Sequence, residues 1–170
     1  CDARQLQARL DAGDDPNHPE RCGDRPLHRA ARNLDGRCVG LLLAAGADPL
    51  AVGERNMTPL HWAAIGQTWP KAAELLIAAG ARLDARDKYG STPLHLAAAY
   101  SKGTECRIVA SLLALGADPS ALDNEGRTPA EKSETDEARD MILRAAEAAA
   151  LAGSMANPSK PNRSRRMSES

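Results

Sequence analysis

The sequence predicts an all-α solenoid of stacked helix pairs, and three observations carry that prediction. Four prolines head equivalent segments: Arg25-Pro26-Leu27-His28, Thr58-Pro59-Leu60-His61, Thr92-Pro93-Leu94-His95 and Thr128-Pro129-Ala130-Glu131. Four glycines, Gly13, Gly46, Gly80 and Gly116, form a second recurrence and are mostly followed by Ala-Asp or a close variant. The prolines lie 33, 34 and 36 residues apart (26 to 59, 59 to 93, 93 to 129), yet each marker glycine precedes the next proline by 13. Length therefore varies only between proline and glycine, where two helices join. The connector from one unit to the next is constant.

The elements follow in order. A partial unit over 2–23 comes first, then full units over 24–56, 57–90 and 91–126, then a closing unit over 127–153. Proline suits the first turn of a helix, where its missing N–H costs nothing, and Thr58, Thr92 and Thr128 before it are good caps. The apolar stretches Val39–Leu43, Ala72–Ile77 and Ile108–Leu113 predict second helices, each followed by a glycine fit for a left-handed C-cap. Two residues before each helix-opening Thr (or Arg25) stand Gly23, Asn56, Gly90 and Gly126. Asn is the other residue that tolerates positive φ, so one turn geometry is expected in all four. In the first unit Gln5 and Arg9 replace the apolar residues found at Cys38 and Leu42, which reads as a polar cap and places residue 1 near a natural edge. A charged helix from about Asp136 to Leu151 closes the other end. Residues 154–170, rich in Ser, Pro, Asn and Arg, read as a disordered tail.

Composition narrows the function classes. At 170 residues the chain is about one domain long, and its 42% apolar content lacks Phe altogether. Trp62, Trp69, Tyr89 and Tyr100 are the only aromatics, so Ala and Leu must supply a core of closely packed short helices. A net charge of -1 gives no reason to expect nucleic acid or an anionic membrane as the main partner. No apolar run approaches the ~20 residues that span a bilayer. Cys1, Cys22, Cys38 and Cys106 show no C-x-x-C pair and do not read as a disulfide framework or zinc site.

Lys88-Tyr89-Gly90-Ser91-Thr92-Pro93-Leu94-His95-Leu96-Ala97-Ala98, together with Leu112-Leu113 running to Gly116-Ala117-Asp118, resembles the ankyrin repeat closely. A period near 33 with T-P-L-H-x-A is that family's signature. The resemblance implies helix-turn-helix units joined by β-hairpin-like turns at right angles to the helix pairs, and a role in binding another protein as scaffold, adaptor or inhibitor. It further implies that partners lie along a concave face made by the turn tips and the first helices. By alignment the tips are Glu20, Arg21 and Cys22, then Glu54 and Arg55, then Asp87, Lys88 and Tyr89, then Asp123, Asn124 and Glu125. The position after each His is Arg29, Trp62 and Leu96, with Lys132 in the cap. Interface energy concentrates in Trp, Tyr and Arg, so Trp62 is the favoured anchor, with Arg29, Tyr89 and Arg55 beside it. The joins Gly66–Lys71 and Tyr100–Arg107 offer Trp69 and Tyr100 as a secondary contact surface or as a shield for the helix ridge.

No catalytic constellation emerges. His28, His61 and His95 occupy one position of successive repeats, roughly 10 Å apart, whereas zinc ligands sit within about 2.1 Å of the ion. The resemblance instead gives this His a hydrogen bond to the adjoining turn. G-x-S-x-G, a phosphate loop and H-E-x-x-H are all missing from the sequence. Cofactor, metal and small-molecule substrate are therefore not expected. Cys38 aligns with Ala72 and Ile108 as a small core residue, while Cys22 and Cys106 are expected to be exposed. Cys1 matches the first residue of a mature bacterial lipoprotein, so a lipid-anchored periplasmic binder stands as the alternative to the expected cytoplasmic one. A recognition domain within a larger enzyme or secreted effector is the other alternative. In the tail, Arg165-Arg166-Met167-Ser168 resembles a basophilic kinase site at Ser168, beside a purely solvating role.

Overall fold

Each expected proline-headed segment of the three full units is a helix in the computed structural model, which describes residues 2–32, 36–66, 70–101 and 106–156. Helix α1 (Ala3–Asp11) stands alone in the first unit. Three pairs follow: α2 (Pro26–Arg32) with α3 (Gly36–Ala44), α4 (Pro59–Gly66) with α5 (Pro70–Ala78), and α6 (Pro93–Ala99) with α7 (Arg107–Ala114). Helix α8 (Asp136–Ala156) closes the chain and runs on into the stretch expected to be tail. Among the described residues there is no strand. Within each pair the helices touch, and between units like packs on like. The first helices form one row, α2 on α4 on α6, and the second helices another, α1 on α3 on α5 on α7 on α8.

The core lies between the rows and is made as the composition requires. Leu27, Leu60 and Leu94 of the first row and Leu42, Leu76 and Leu112 of the second are all buried, with small Ala30, Ala64, Ala73 and Ala98 letting the helices approach. Each second helix ends in a glycine at positive φ, Gly46 at 87°, Gly80 at 99° and Gly116 at 94°, as a left-handed cap demands. In the turns, Gly23, Asn56, Gly90 and Gly126 all have positive φ, so Asn56 keeps the geometry where the letter changes.

The tips nonetheless come in two kinds. In the last two full turns, Asp87 accepts N–H bonds from Tyr89 and Ser91, each at 2.8 Å, and Asp123 does the same for Glu125 and Arg127 at 2.9 Å. The aligned residues in the first two turns are Glu20 and Gly53, which supply no such clamp. There the chain makes one-turn 3-10 helices, Arg21–Gly23 and Glu54–Asn56, and a second residue goes left-handed: Cys22 at φ 67° and Arg55 at φ 57°.

Two cysteine expectations change. Cys106 is buried, its Sγ 3.9 Å from Thr135 Oγ1, because the closing unit covers the join it sits in. Cys38 is a core residue as expected, but it is disulfide-bonded, a pairing that sequence separation does not reveal. Cys22 and Cys106 are free thiols. The fourth proline differs too. Pro129 opens only turns, and Glu131 replaces the histidine there, its carboxylate accepting from Thr128 N at 2.7 Å and Thr128 Oγ1 at 3.0 Å.

Candidate partner-binding surface

The histidines set the frame on which the surface is hung. Thr92 N–H donates to His95 Nδ1 at 3.1 Å, and His95 Nε2–H donates to the Arg127 carbonyl of the next turn at 3.0 Å. His61 repeats this between Thr58 N and the Ser91 carbonyl. His28 takes Arg25 N–H and reaches the Ala51 and Met57 carbonyls. Each ring thus locks a first helix to the following turn. Burial lowers the pKa of all three from the usual 6.5, since desolvation disfavours the imidazolium. The neutral Nε2–H tautomer is the one that fits. Among the described residues no group of three or more His, Cys, Asp or Glu is placed to hold a metal ion.

Tips of successive turns are also bonded to one another. Lys88 N–H donates to the Arg55 carbonyl at 2.9 Å, and Asn124 N–H to the Tyr89 carbonyl at 3.0 Å. The result is a continuous ridge beside the first-helix row. On it Arg55 is exposed and 3.7 Å from Glu54, and the Lys88 ammonium lies 4.8 Å over the half-exposed ring of Tyr89. Asn124 is exposed, with Nδ2 donating to the Lys88 carbonyl at 3.3 Å. Arg21 sits at the first tip, its side chain outside the described residues.

On the row itself, Arg29 is exposed and paired with Glu20 at 2.9 Å. Trp62 is half-buried against the core, and the Arg32 guanidinium lies 5.0 Å from its ring centroid. Trp62 Nε1 is buried and has no hydrogen-bond partner among the described residues. Arg32 itself is exposed and has no ion pair among the described residues. Sequence reasoning missed Arg32, although its place one helical turn after Arg29 was the available signal.

Three expected contact residues, Leu96, Asp87 and Asp123, do not lie on the surface. Leu96 is 8% exposed and belongs to the core cluster, since withdrawing a Leu from water gains about 2 kcal/mol. Asp87 is 7% exposed because its carboxylate is spent on the turn. At the cap, Lys132 is drawn inward, its Nζ 3.2 Å from Asp123 Oδ2 and 2.8 Å from Ser91 Oγ. Burial alone would raise the Asp123 carboxyl, but N–H bonds from Arg127 and Glu125 and the Lys132 ammonium hold it far below the usual carboxylate range. Trp69, Ser168 and Cys1 lie outside the described residues, whereas Tyr100 is 46% exposed.

Stacked helix pairs, a hydrogen-bonded ridge of tips and an aromatic-cationic patch on the first row define a repeat scaffold of the protein-binding class. The model of the family "Ankyrin repeats (3 copies)" matches residues 3–87 and 27–123, and the chain belongs to the ankyrin-repeat family. Ankyrin repeats are generally protein–protein interaction modules and generally not enzymes. No curated protein matches the chain. Among the described residues no helix is long and apolar enough to cross a membrane.

Proposed function

We propose that this chain is a scaffold or inhibitor-like binder that holds a partner protein along the first-helix row and the ridge of tips, with Trp62 and Arg32 as its anchor. The observation that carries the reading is the pair on the first-helix row: the partly exposed Trp62 indole with the exposed Arg32 guanidinium 5.0 Å from its ring centroid, a guanidinium that has no acidic partner among the described residues. Arg29, Arg55, Glu54, Lys88, Tyr89 and Asn124 extend the same surface, with Arg21 at its first tip.

The partner is isolated by affinity capture from the native organism and identified by mass spectrometry, and its affinity is then measured against variants. Trp62→Ala should weaken binding by about 2 kcal/mol, near thirtyfold. Because Trp62 also packs on the core, Arg32→Glu supplies the second arm: weaker binding at an unchanged melting temperature. Wild-type affinity in both variants would remove this patch from the interface.

A further inference from the structure

The charges on the first-helix row and the ridge of tips do not balance, and the excess is positive. The outer carboxylates are already paired: Glu20 with Arg29 at 2.9 Å, Glu54 with Arg55 at 3.7 Å, and Glu125 with Arg127 at 3.0 Å. The others serve the backbone. Asp87 and Asp123 are buried on turn N–H groups, Asp24 accepts from Glu54 N at 3.0 Å, and Glu131 accepts from Thr128 N. Two exposed cations are left over: among the described residues neither Arg32 nor Lys88 has an ion pair. Beside the ridge, Arg86 bonds only carbonyl oxygens, those of Gly90 and Leu122.

Both leftover cations stand over aromatic rings. The Arg32 guanidinium is 5.0 Å from the Trp62 centroid, and the Lys88 ammonium is 4.8 Å from that of Tyr89. A ring holds a cation in place without neutralising it, and both rings keep exposed area beside it. Each pair therefore offers a carboxylate an ion pair and offers the neighbouring apolar side chain a flat surface. Nucleic acid fits poorly, since a continuous phosphate chain would also meet Glu54 and Glu125. The chain's own residues 154–170 do not fit either, because Lys160, Arg163, Arg165 and Arg166 outnumber Glu169 there.

From this imbalance we infer that the surface takes an acidic segment of its partner protein. One Asp or Glu pairs with Arg32 and another with Lys88, and the apolar residue beside each rests on Trp62 or Tyr89. The inference rests on the proposed partner-binding role of this surface and adds the partner's chemistry. Arg32 and Lys88 belong to layers two apart in the stack. At about 10 Å per layer, an extended segment rising about 3.3 Å per residue must carry its acidic residues about six positions apart.

The probe is a peptide with two Glu-Leu pairs about six residues apart in a Gly-Ser chain, titrated into the ¹⁵N-labelled full chain. Versions with Gln or Lys in place of Glu are the controls. Amide shift changes should be confined to the residues around Arg32, Trp62, Arg55 and Lys88. Salt at about 1 M should abolish them, as the Debye length falls to about 3 Å. The Gln version should bind about tenfold more weakly. The double variant Arg32→Glu, Lys88→Glu should lose the Glu peptide and gain the Lys peptide at an unchanged melting temperature, an exchange that lost packing could not produce. Equal binding of the Gln version at these same residues overturns the acidic chemistry and leaves the surface a binding site. The proposal also fails if no shift appears, if shifts fall elsewhere or grow with protein concentration alone, or if salt has no effect. It fails too if the double variant still takes the Glu peptide, or if single-stranded DNA displaces that peptide from the wild-type chain at equal concentration.

Discussion

At the scale of single residues, small differences in the turns decide what a substitution costs. Gly90 and Gly126 share φ 74°, so alanine at either should cost the left-handed penalty of about 1–2 kcal/mol. Only at Gly90 would the added methyl also run into Asn124, both its side chain and its backbone nitrogen, while at Gly126 it would meet open space. Overpacking of that kind adds about 1–3 kcal/mol. Urea melts of the two variants should therefore show Gly90→Ala the less stable of the pair; equal midpoints would mean that the tip ladder can shift at no cost. This is also the scale at which the sequence was least legible. Alignment placed Leu96 and Asp87 beside Trp62 and Tyr89 because it reads position in a unit, not solvent exposure. The cluster of Lys132, Asp123 and Ser91 joins residues of different units, and nothing in a linear pattern links them.

Elements were read far more completely, for a physical reason. Proline, glycine and a capping threonine act locally, and their effects repeat wherever the letters repeat, so α2 to α7 could be placed from sequence alone. The closing unit broke the rule because Glu131 keeps the local bond to Thr128 but has no ring N–H to reach a further turn, and the helix shrinks to turns. In the second row, Leu112 is fully buried between units. Leu112→Ala should cost about 2–5 kcal/mol by lost transfer energy and the cavity left behind. Leu115, 40% exposed one turn on, serves as the control and should change the denaturation midpoint little when mutated likewise. If both variants melted alike, the second row would not be the core this structure describes.

For the whole molecule, the three buried histidines give stability a pH dependence of known sign. Folding lowers their pKa, so the unfolded chain binds protons more tightly in this range. Their contribution is complete above the unfolded value of about 6.5 and is lost as pH falls through it toward the lowered folded values. Each can steepen the fall by up to about 1.4 kcal/mol per pH unit. Asp123, whose carboxyl is held low, adds a separate loss only when pH drops below the ordinary carboxylate range near 4. Melting temperatures between pH 8 and 3 should thus decline in two stages. Replacing His61 by Gln should flatten the first stage and leave the second; an unchanged profile would assign the acid sensitivity to other groups.

The ring-to-turn bonds all run in one direction along the chain, which makes the array a vector whose two ends are chemically unlike. Losing the final unit would strand the Nε2–H of His95, a wholly buried donor with a single acceptor. Losing the opening unit would strand no ring proton at all, and under-used carbonyls are tolerated better than orphaned donors. Trimming, whether by a protease or over evolutionary time, is therefore cheaper at the front of this array than at the back.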